Sequence, residues 1–405
     1  MASSGIAMAV ALVVMVAAAG GAWAADGGAG EAPLLSADFE TDPLQSGWKH
    51  KAGANGSLSP AWTDAEAHGG KRCITAAEGS WESPAFPVMP FQFYRLEFFS
   101  KAAGLGYWSV FFYNEKGDAL ASDCYASVYE SEGWIRNETC VRGRLNAVTA
   151  RACFTPLDGK RLFIDDVSVR PMERRAAAEW TDALCATLPP LHYRPPKGRW
   201  QLIPKTMEKL RHGAKLRIVL LGDSIVNDTS NSPWDALLER AYPGAQIEVV
   251  ISVRGGTGCQ YYRQENRVKE YVFGYAPDLL VVGGISHGYD AEAIREVVRQ
   301  VRAASGAEVL IMSGAVANAE RCRAEFVKHS GLPAEKAEEK VAAFPERIKA
   351  VAAEEKCEFL DMRAIWDEYM KGAAKPEEWF RRDIIHANDR GKQILGRVLE
   401  RFFTP

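Results

Sequence analysis

The strongest constraint on the fold is a series of short, almost wholly apolar runs in the second half of the 405-residue chain. Residues 216–221, for example, are apolar apart from Arg217, as expected for a strand buried on both faces of a parallel sheet. Helical patterns separate the runs, and this alternation predicts a five-stranded parallel sheet with helices on both sides. The predicted strands are residues 216–221, 247–251, 279–282, 309–312 and 359–360, and the predicted helices are residues 234–241, 291–304, 340–355 and 387–403.

Residues 34–172 have a different periodicity. Short runs rich in aromatic and β-branched side chains, such as residues 94–99 and 107–113, alternate with glycine, aspartate and asparagine, which is typical of strands joined by turns. Many short strands without long helices predict an all-β sandwich of two sheets. We therefore expect a sandwich at residues 34–172, a proline-rich linker at residues 173–214 and an α/β domain at residues 215–405.

The N-terminus has the pattern of a processing signal. Residues 6–19 are almost wholly apolar and are followed by Ala22-Trp23-Ala24, which matches the small-x-small pattern of a secretory cleavage site. This predicts a signal peptide at residues 1–24 and a secreted, periplasmic or extracellular protein. No later apolar run is long enough to span a bilayer, so no membrane association is expected after cleavage.

Composition argues against several partners and cofactors. The 49 Lys+Arg and 52 Asp+Glu give a net charge of -3, without the basic balance typical of nucleic-acid-binding domains, so no nucleic-acid partner is expected. The eight cysteines include no Cys-x-x-Cys pair, so no zinc cluster is expected, and no cofactor is predicted. In an exported protein they can oxidise, and Cys124 with Cys140 is the favoured pair because a hairpin could bring them together. The alternative is that the cysteines are small buried hydrophobic residues.

Residues with nucleophilic and acid–base chemistry follow the first predicted strand and precede the last predicted helix. Ser224 lies just beyond the first strand, at the edge where parallel sheets bind ligands. Asp383 and His386 lie three residues apart near the C-terminus. A carboxylate at that spacing can orient the imidazole through Nδ1, leaving Nε2 free to take the serine proton. We therefore predict Ser224 as nucleophile, His386 as base and Asp383 as the orienting carboxylate.

These segments resemble the conserved blocks of the SGNH, or GDSL-type, hydrolase superfamily. Residues 222–224 (Gly-Asp-Ser) resemble its first block and residues 383–386 (Asp-x-x-His) its last. The resemblance extends over residues 216–403. It implies a flavodoxin-like three-layer fold and ester hydrolysis through an acyl-enzyme, without a metal.

The resemblance also implies an oxyanion hole, in which one position departs from the family pattern. The glycine of the second block donates a backbone N–H, and we align it to Gly258, with Gly256 as the alternative register. The third block should be Gly-x-Asn-Asp, but residues 284–287 are Gly-Ile-Ser-His. Ser286 therefore replaces the asparagine donor, beside the backbone N–H groups of Ser224 and Gly258.

Four residues near these loops are candidate substrate contacts, and each has a structural alternative. Asp223 can cap the turn after the first strand, and Asn227 can form hydrogen bonds within that turn. Arg254 can meet an anionic substrate group or form an ion pair. His287 can contact substrate or be a solvated loop residue.

The sandwich resembles the jelly-roll carbohydrate-binding modules through Asp38-Phe39-Glu40 and residues 163–169. Its tryptophans can stack on sugar rings or belong to the core, so sugar binding and a purely structural role both remain open. Since the predicted triad lies wholly in the α/β domain, removing the sandwich is expected to spare hydrolysis of a small ester.

The leading hypothesis is a secreted carbohydrate O-acetyl esterase that removes acetyl groups from a polysaccharide or glycan. One alternative is a lipase or thioesterase, which needs an apolar acyl channel; the loops after the strands are too polar and glycine-rich to predict one. The other is a non-catalytic carbohydrate-binding protein with a degenerate esterase domain, which the replacement at Ser286 favours and the intact triad opposes.

Overall fold

The structure of the protein is a computed structural model that describes residues 32–52 and 59–405. The predicted signal peptide lies outside the described residues. Pro33–Pro405 form one compact unit. Among the described residues, no helix combines the length and apolar character needed to cross a bilayer.

Two antiparallel sheets form the N-terminal sandwich, as predicted. The strand order is β10-β7-β12-β4-β3, with β1 beside β12, in one sheet and β2-β5-β11-β8-β9, with β6 beside β11, in the other. Alternate residues of the long strands fill the space between the sheets, together with Trp48, Trp81 and Trp108, each 2% exposed. The strands are β1 (Leu35–Ala37), β2 (Lys49–Lys51), β3 (Ala61–Thr63), β4 (Cys73–Ala76), β5 (Ser80–Glu82), β6 (Phe86–Pro87), β7 (Phe93–Ala102), β8 (Gly106–Tyr113), β9 (Cys124–Val128), β10 (Ile135–Arg142), β11 (Thr149–Pro156) and β12 (Leu162–Met172).

The segment predicted as a linker contains two helices, α1 (Arg174–Ala186) and α2 (Pro204–Arg211). Helix α1 is amphipathic and buries Ala177, Ala178 and Thr181. Helix α2 begins with a proline, whose missing N–H costs nothing in the first turn.

The C-terminal half is a five-stranded parallel sheet in the order β14-β13-β15-β16-β17, covered by helices on both faces. Successive residues of the first strand face opposite sides: Leu216, Ile218 and Leu220 pack in one core cluster, and Val219 and Leu221 in another. This explains the continuous apolar run and confirms the predicted three-layer fold class. The strands are β13 (Lys215–Gly222), β14 (Gln246–Val253), β15 (Leu279–Val282), β16 (Glu308–Met312) and β17 (Glu358–Leu360).

Three of the four helices predicted in this half lie within two residues of their predicted bounds, whereas the helix predicted at residues 340–355 begins six residues earlier. Helix α1 packs against α4 and α11. The polar segment after β16 forms α8 and the start of α9. Short 3₁₀ helices lie at Phe273–Tyr275 and Glu377–Trp379. The α-helices are α3 (Ser224–Ser230), α4 (Trp234–Ala241), α5 (Cys259–Tyr262), α6 (Arg267–Tyr271), α7 (Ala291–Ala304), α8 (Ala319–His329), α9 (Ala334–Glu354), α10 (Met362–Gly372) and α11 (Asp389–Phe403).

The predicted Cys124–Cys140 disulfide is wrong. The two residues lie on β9 and β10, which are edge strands of different sheets and do not form a hairpin. All eight cysteines are free thiols. Six are buried and two are partly exposed, in agreement with the alternative of small hydrophobic residues.

Candidate active site

Ser224 is the first residue of α3, immediately beyond the carboxyl end of β13. The side chain of Asp223 caps this helix by accepting the N–H of Ile225 at 2.9 Å. The first turn of a helix has N–H groups without intrahelical partners, and the N–H of Ser224 is in that turn. The serine is therefore placed where an anion would meet both a hydroxyl and a helix N-terminus.

The three residues of the predicted triad are in contact. His386 Nε2 lies 2.8 Å from Ser224 Oγ, and His386 Nδ1 lies 2.8 Å from Asp383 Oδ2. Asp383 Oδ1 accepts the backbone N–H groups of Ile385 and His386 at 2.7 and 2.8 Å, so the carboxylate also fixes the turn that carries the histidine. This order of contacts is that of a serine nucleophile, its base and the group that orients the base.

Asp383 is held as a carboxylate. Partial burial by itself would raise the pKa of Asp383, but hydrogen bonds from the His386 ring and from the backbone N–H groups of Ile385 and His386 outweigh burial and lower that pKa to about 2. An ionised carboxylate at Nδ1 favours the tautomer with the proton on Nδ1, so that Nε2 faces the serine as an acceptor.

Asp223 joins two of the loops at the sheet edge. Its Oδ2 accepts the N–H groups of Ile285 and Ser286 at 2.7 Å each. Gly284 has φ +104°, and a Cβ there would lie 2.5 Å from Asp223 Oδ1, so this position needs glycine. Asp223 is 1% exposed. It caps the helix and positions the third loop, and the prediction of a substrate contact is wrong because the side chain is buried.

Gly258 lies directly against the loop that contains Ser286. A Cβ on Gly258 would lie 2.2 Å from the carbonyl oxygen of Ser286, so the two loops approach too closely for any side chain. Gly256, the alternative register, has φ +63° and nothing within 4 Å of its Cβ position. Gly258 is therefore the glycine that lies at the junction of the loops after β14 and β15.

His287 is a buried bridge between the same two loops. It is 2% exposed, and its Nδ1 accepts the N–H of Cys259 at 3.2 Å. Burial lowers the pKa of His287, which keeps the ring neutral as an acceptor. The prediction of a solvated loop residue and the prediction of a substrate contact are both wrong for His287, because its side chain is buried.

The other two candidate contacts have different surroundings. The Asn227 amide donates to the backbone oxygen and to Oδ1 of Asp123, both at 3.1 Å, so it binds the sandwich, and neither local turn bonding nor substrate contact describes it. Arg254 is exposed, with its guanidinium 5.1 Å from the Tyr261 ring centroid. The described residues give Arg254 no ion pair, but its side chain has a hydrogen bond with Tyr271. The predicted ion pair is therefore wrong, and the substrate contact of Arg254 stays a prediction.

A buried ion pair that the sequence did not reveal holds the triad together. Arg382 Nη1 lies 2.9 Å from both carboxylate oxygens of Asp228 on α3, and Asp228 Oδ2 accepts the N–H of Ala387 at 3.0 Å. The two side chains are 0% and 1% exposed. One carboxylate on the helix of Ser224 therefore binds both ends of the loop that carries Asp383 and His386. The only sequence signal is that Arg382 precedes the Asp-x-x-His block.

The sandwich contacts this network from the other side. The Tyr125 ring of β9 lies 3.8 Å from the Arg382 guanidinium, and the Tyr107 ring of β8 lies 6.0 Å from that of Tyr125. Burial raises the pKa of Tyr107, and the charge of Asp383 raises it further. Two tyrosines of the sandwich are thus neighbours of the triad loop.

Serine, imidazole and carboxylate in this arrangement resemble the catalytic triad of serine hydrolases. Residues 220–394 match the model of the GDSL-like lipase/acylhydrolase family. This match confirms, over residues 220–394, the resemblance of the blocks to the GDSL-type hydrolases.

Solved structures give weaker likenesses. A two-domain esterase active on acetylated mannans is 18% identical over 51% of this chain and 53% of its own, with a TM-score of 0.39. An acetylxylan esterase from Geobacillus stearothermophilus is 16% identical over 46% of this chain and 94% of its own, with a TM-score of 0.36. A xylan-binding domain from Paenibacillus barcinonensis is 14% identical over 35% of this chain and 96% of its own, with a TM-score of 0.28. The search among curated proteins found no match. This chain spans about half the length of the two-domain esterase, and likenesses of this size do not identify a substrate.

Proposed function

We propose that the protein is a secreted serine esterase that acts on an acylated carbohydrate through an acyl-enzyme on Ser224. The observation that carries the proposal is the 2.8 Å contact between His386 Nε2 and Ser224 Oγ, with Asp383 on the opposite ring nitrogen. A serine needs such a base to become a nucleophile.

In the first step Ser224 Oγ bonds to the acyl carbon while its proton passes to His386 Nε2. The negative charge on the acyl oxygen is met by the backbone N–H groups of Ser224 and Gly258 and by the hydroxyl of Ser286. The carbonyl then re-forms, the bond to the sugar oxygen breaks, and that oxygen takes the proton from His386. Water, activated by the same imidazole, releases the acid and restores the serine.

The carbohydrate part of the proposal rests on the resemblance of the sandwich to carbohydrate-binding modules and on the N-terminal secretion pattern. Association of domains is a weaker reason than the chemistry of the site. Acetyl is the acyl group that the sequence hypothesis favours. A second candidate, an esterase for longer acyl groups, is favoured by a large apolar cavity beside the triad.

The test is release of acetate from a panel of native acetylated polysaccharides, with p-nitrophenyl acetate as the generic ester. Ser224→Ala should abolish both activities while the far-UV circular dichroism stays that of the wild type, since the serine lies at a sheet edge. Ser230→Ala on the same helix removes another hydroxyl and is the matched control. An inactive wild type with a folded spectrum would favour the non-catalytic, carbohydrate-binding alternative.

A further inference from the structure

A cavity of about 990 Å³ opens beside the triad on the side of β16, α8 and α9. Its mouth is formed by Ser286 of the third loop and by Ile384 and Ile385, which lie between Asp383 and His386. Ile384 is 40% exposed, an unusual state for a large apolar side chain beside a polar triad. The start of α8 is joined to this mouth, because the N–H of Asn318 donates to the carbonyl of Ile384 at 3.0 Å.

The body of the cavity is mostly apolar. Phe326 of α8, Phe344 and Ile348 of α9 and Ile285 line it, and Tyr289 packs edge-on against both phenylalanines, with ring centroids 4.7 and 5.5 Å apart. Ile348 is 3% exposed and belongs to the core of the sheet. The cavity therefore runs from the triad towards the hydrophobic core.

Charged groups on the lining are largely paired with protein partners. Arg363 Nε lies 2.8 Å from Asp367, and Asp361 Oδ1 accepts the hydroxyl of Ser313 at 2.8 Å. Arg323 pairs with Glu338. Glu320 and Arg321 at the start of α8 also line the cavity and have no ion pair among the described residues. Away from them the wall offers a ligand mainly apolar surface, whereas a sugar would bring hydroxyl groups that need polar partners.

We infer that this cavity binds the acyl group of the ester, and that the acyl range of the enzyme extends to aliphatic chains much longer than acetyl. The inference rests on the proposed serine-esterase function and names the acyl part of its substrate. An acetyl group on Ser224 would fill only the mouth. Cavities of roughly 300–1,000 Å³ hold far larger ligands, and each methylene group taken from water into an apolar site adds to the favourable free energy of binding. Binding energy of this kind serves catalysis when it positions the reacting carbonyl.

The test compares kcat/KM for p-nitrophenyl octanoate and p-nitrophenyl acetate. In both reactions Ser224 Oγ bonds to the acyl carbon and p-nitrophenolate leaves. We expect the wild type to prefer octanoate. Val341→Trp places an indole in the cavity from α9, where Val341 is half-buried and lines the wall. It should lower the octanoate-to-acetate ratio by about tenfold or more, since pocket volume discriminates by kilocalories per added carbon.

The matched control is Ala342→Trp, the next residue of α9, which is exposed and does not line the cavity. Its ratio should stay within about twofold of the wild type, as for most surface substitutions. A wild type that hydrolyses acetate but not octanoate overturns the inference, as does an unchanged ratio in Val341→Trp. An effect of Val341→Trp confined to the KM for acetylated polysaccharide would make the cavity a sugar site and would also overturn it.

Labelling with a small alkyl fluorophosphonate distinguishes failure of the acyl inference from failure of the proposed esterase function. This reagent bonds to an activated serine oxygen with loss of fluoride. If mass spectrometry finds Ser224 labelled but octanoate is not turned over, only the acyl inference fails. If neither labelling nor hydrolysis of any ester occurs, the proposed function fails and the inference with it.

Discussion

At the residue scale, Ser286 is the position where this chain departs from its family. Its N–H is bound by Asp223, and the backbone at Ser286 packs against Gly258, so the loop is fixed from two sides. The Ser286 hydroxyl has no hydrogen-bond partner among the described residues, and the residue lines the cavity mouth. A fixed backbone with an unbound hydroxyl suits a donor that acts only when an oxyanion forms.

We therefore predict that Ser286→Ala lowers kcat by about tenfold or more with little change in KM, because removing one oxyanion donor costs up to about 10²–10³. Ser286→Asn should retain activity, since it restores the longer amide donor of the family. Steady-state kinetics on one soluble ester decide this. A kinetically silent Ser286→Ala would leave the oxyanion to the backbone N–H groups of Ser224 and Gly258.

The depressed pKa of Asp383 makes a prediction about stability and pH. Its carboxylate has a pKa of about 2 in the folded protein, against roughly 3.9 in an unfolded chain. A lowered folded pKa means that the stabilisation is complete above about pH 4 and is lost as the pH falls towards 2. Asp383→Asn keeps an oxygen for the two backbone N–H groups but removes the charge.

The wild type should therefore have a higher Tm than Asp383→Asn at pH 7, and the difference should shrink between about pH 4 and pH 2. Calorimetric scans of both proteins over that range measure it. A difference that does not change with pH would mean that the Asp383 charge contributes nothing to folding.

At the scale of elements, the sequence predicted the triad because each member sits at an end of a predicted element. Ser224 follows the first strand and His386 precedes the last helix, and parallel strands end at one edge. The Asp228–Arg382 pair could not be predicted in this way. Its partners are 154 residues apart, and neither residue type nor spacing marks one for the other.

The sequence did not predict the apolar cavity beside the triad, for a related reason. The loops that follow the strands are polar and rich in glycine in the sequence, so the sequence did not predict an acyl channel. The apolar wall comes instead from α8 and α9, whose sequences are dominated by charge. Phe326 and Phe344 lie on different helices, and only the tertiary fold brings them together beside Ile384.

The buried pair of Asp228 and Arg382 gives a prediction for the loop that carries the triad. Asp228→Asn should destabilise the protein by about 3–5 kcal/mol, because it leaves the Arg382 charge buried without a counter-charge. Arg382→Met should destabilise the protein by a similar amount, because it leaves the Asp228 carboxylate buried without its counter-charge. The double variant should be destabilised by less than the sum, since the two residues act as one unit.

Urea unfolding followed by tryptophan fluorescence measures these free energies of unfolding. The control is the exposed pair of Arg175 and Glu179 on α1, whose side chains are 88% and 59% exposed; Glu179→Gln should change stability by no more than about 0.5 kcal/mol. Additive losses in the double variant would show that the pair is not coupled.

At the scale of the whole molecule, the sandwich and the α/β domain form a polar interface at α3. The backbone oxygen of Asp123 accepts the amide N–H groups of Asn227 and Asn231 at 3.1 Å each. Arg142, at the end of β10, donates to the carbonyl oxygens of Ser230 and Ser232 at 2.6 and 2.9 Å and pairs with Asp235.

This interface reverses the expectation that removing the sandwich spares small-ester hydrolysis. The sequence showed that the triad lies in one domain, but it could not show that the helix bearing Ser224 is held by the other. Asp235 is 0% exposed and Arg142 is 3% exposed, so separating the domains would leave the carbonyl groups of Ser230 and Ser232 without their arginine partner and would leave Asp235 paired with Arg174 alone. A module that only held polymer near the site would need no such contacts.

We predict that residues 173–405 expressed alone lose activity on p-nitrophenyl acetate as well as on polymer. Removing Arg142 uncovers the C-terminal end of α3 and takes one of two arginine partners from buried Asp235, which keeps only Arg174 of α1; losing part of a buried ion-pair network destabilises this region. Co-expressing residues 1–172 as a separate chain should restore activity, because the interface is made of specific hydrogen bonds.

In the intact protein, Arg142→Met should reduce kcat for the small ester, whereas Arg136→Met on the exposed part of the same strand should not, since the Arg136 side chain is 49% exposed and pairs within the sandwich. Full small-ester activity in the isolated 173–405 fragment would instead make the sandwich a separable module.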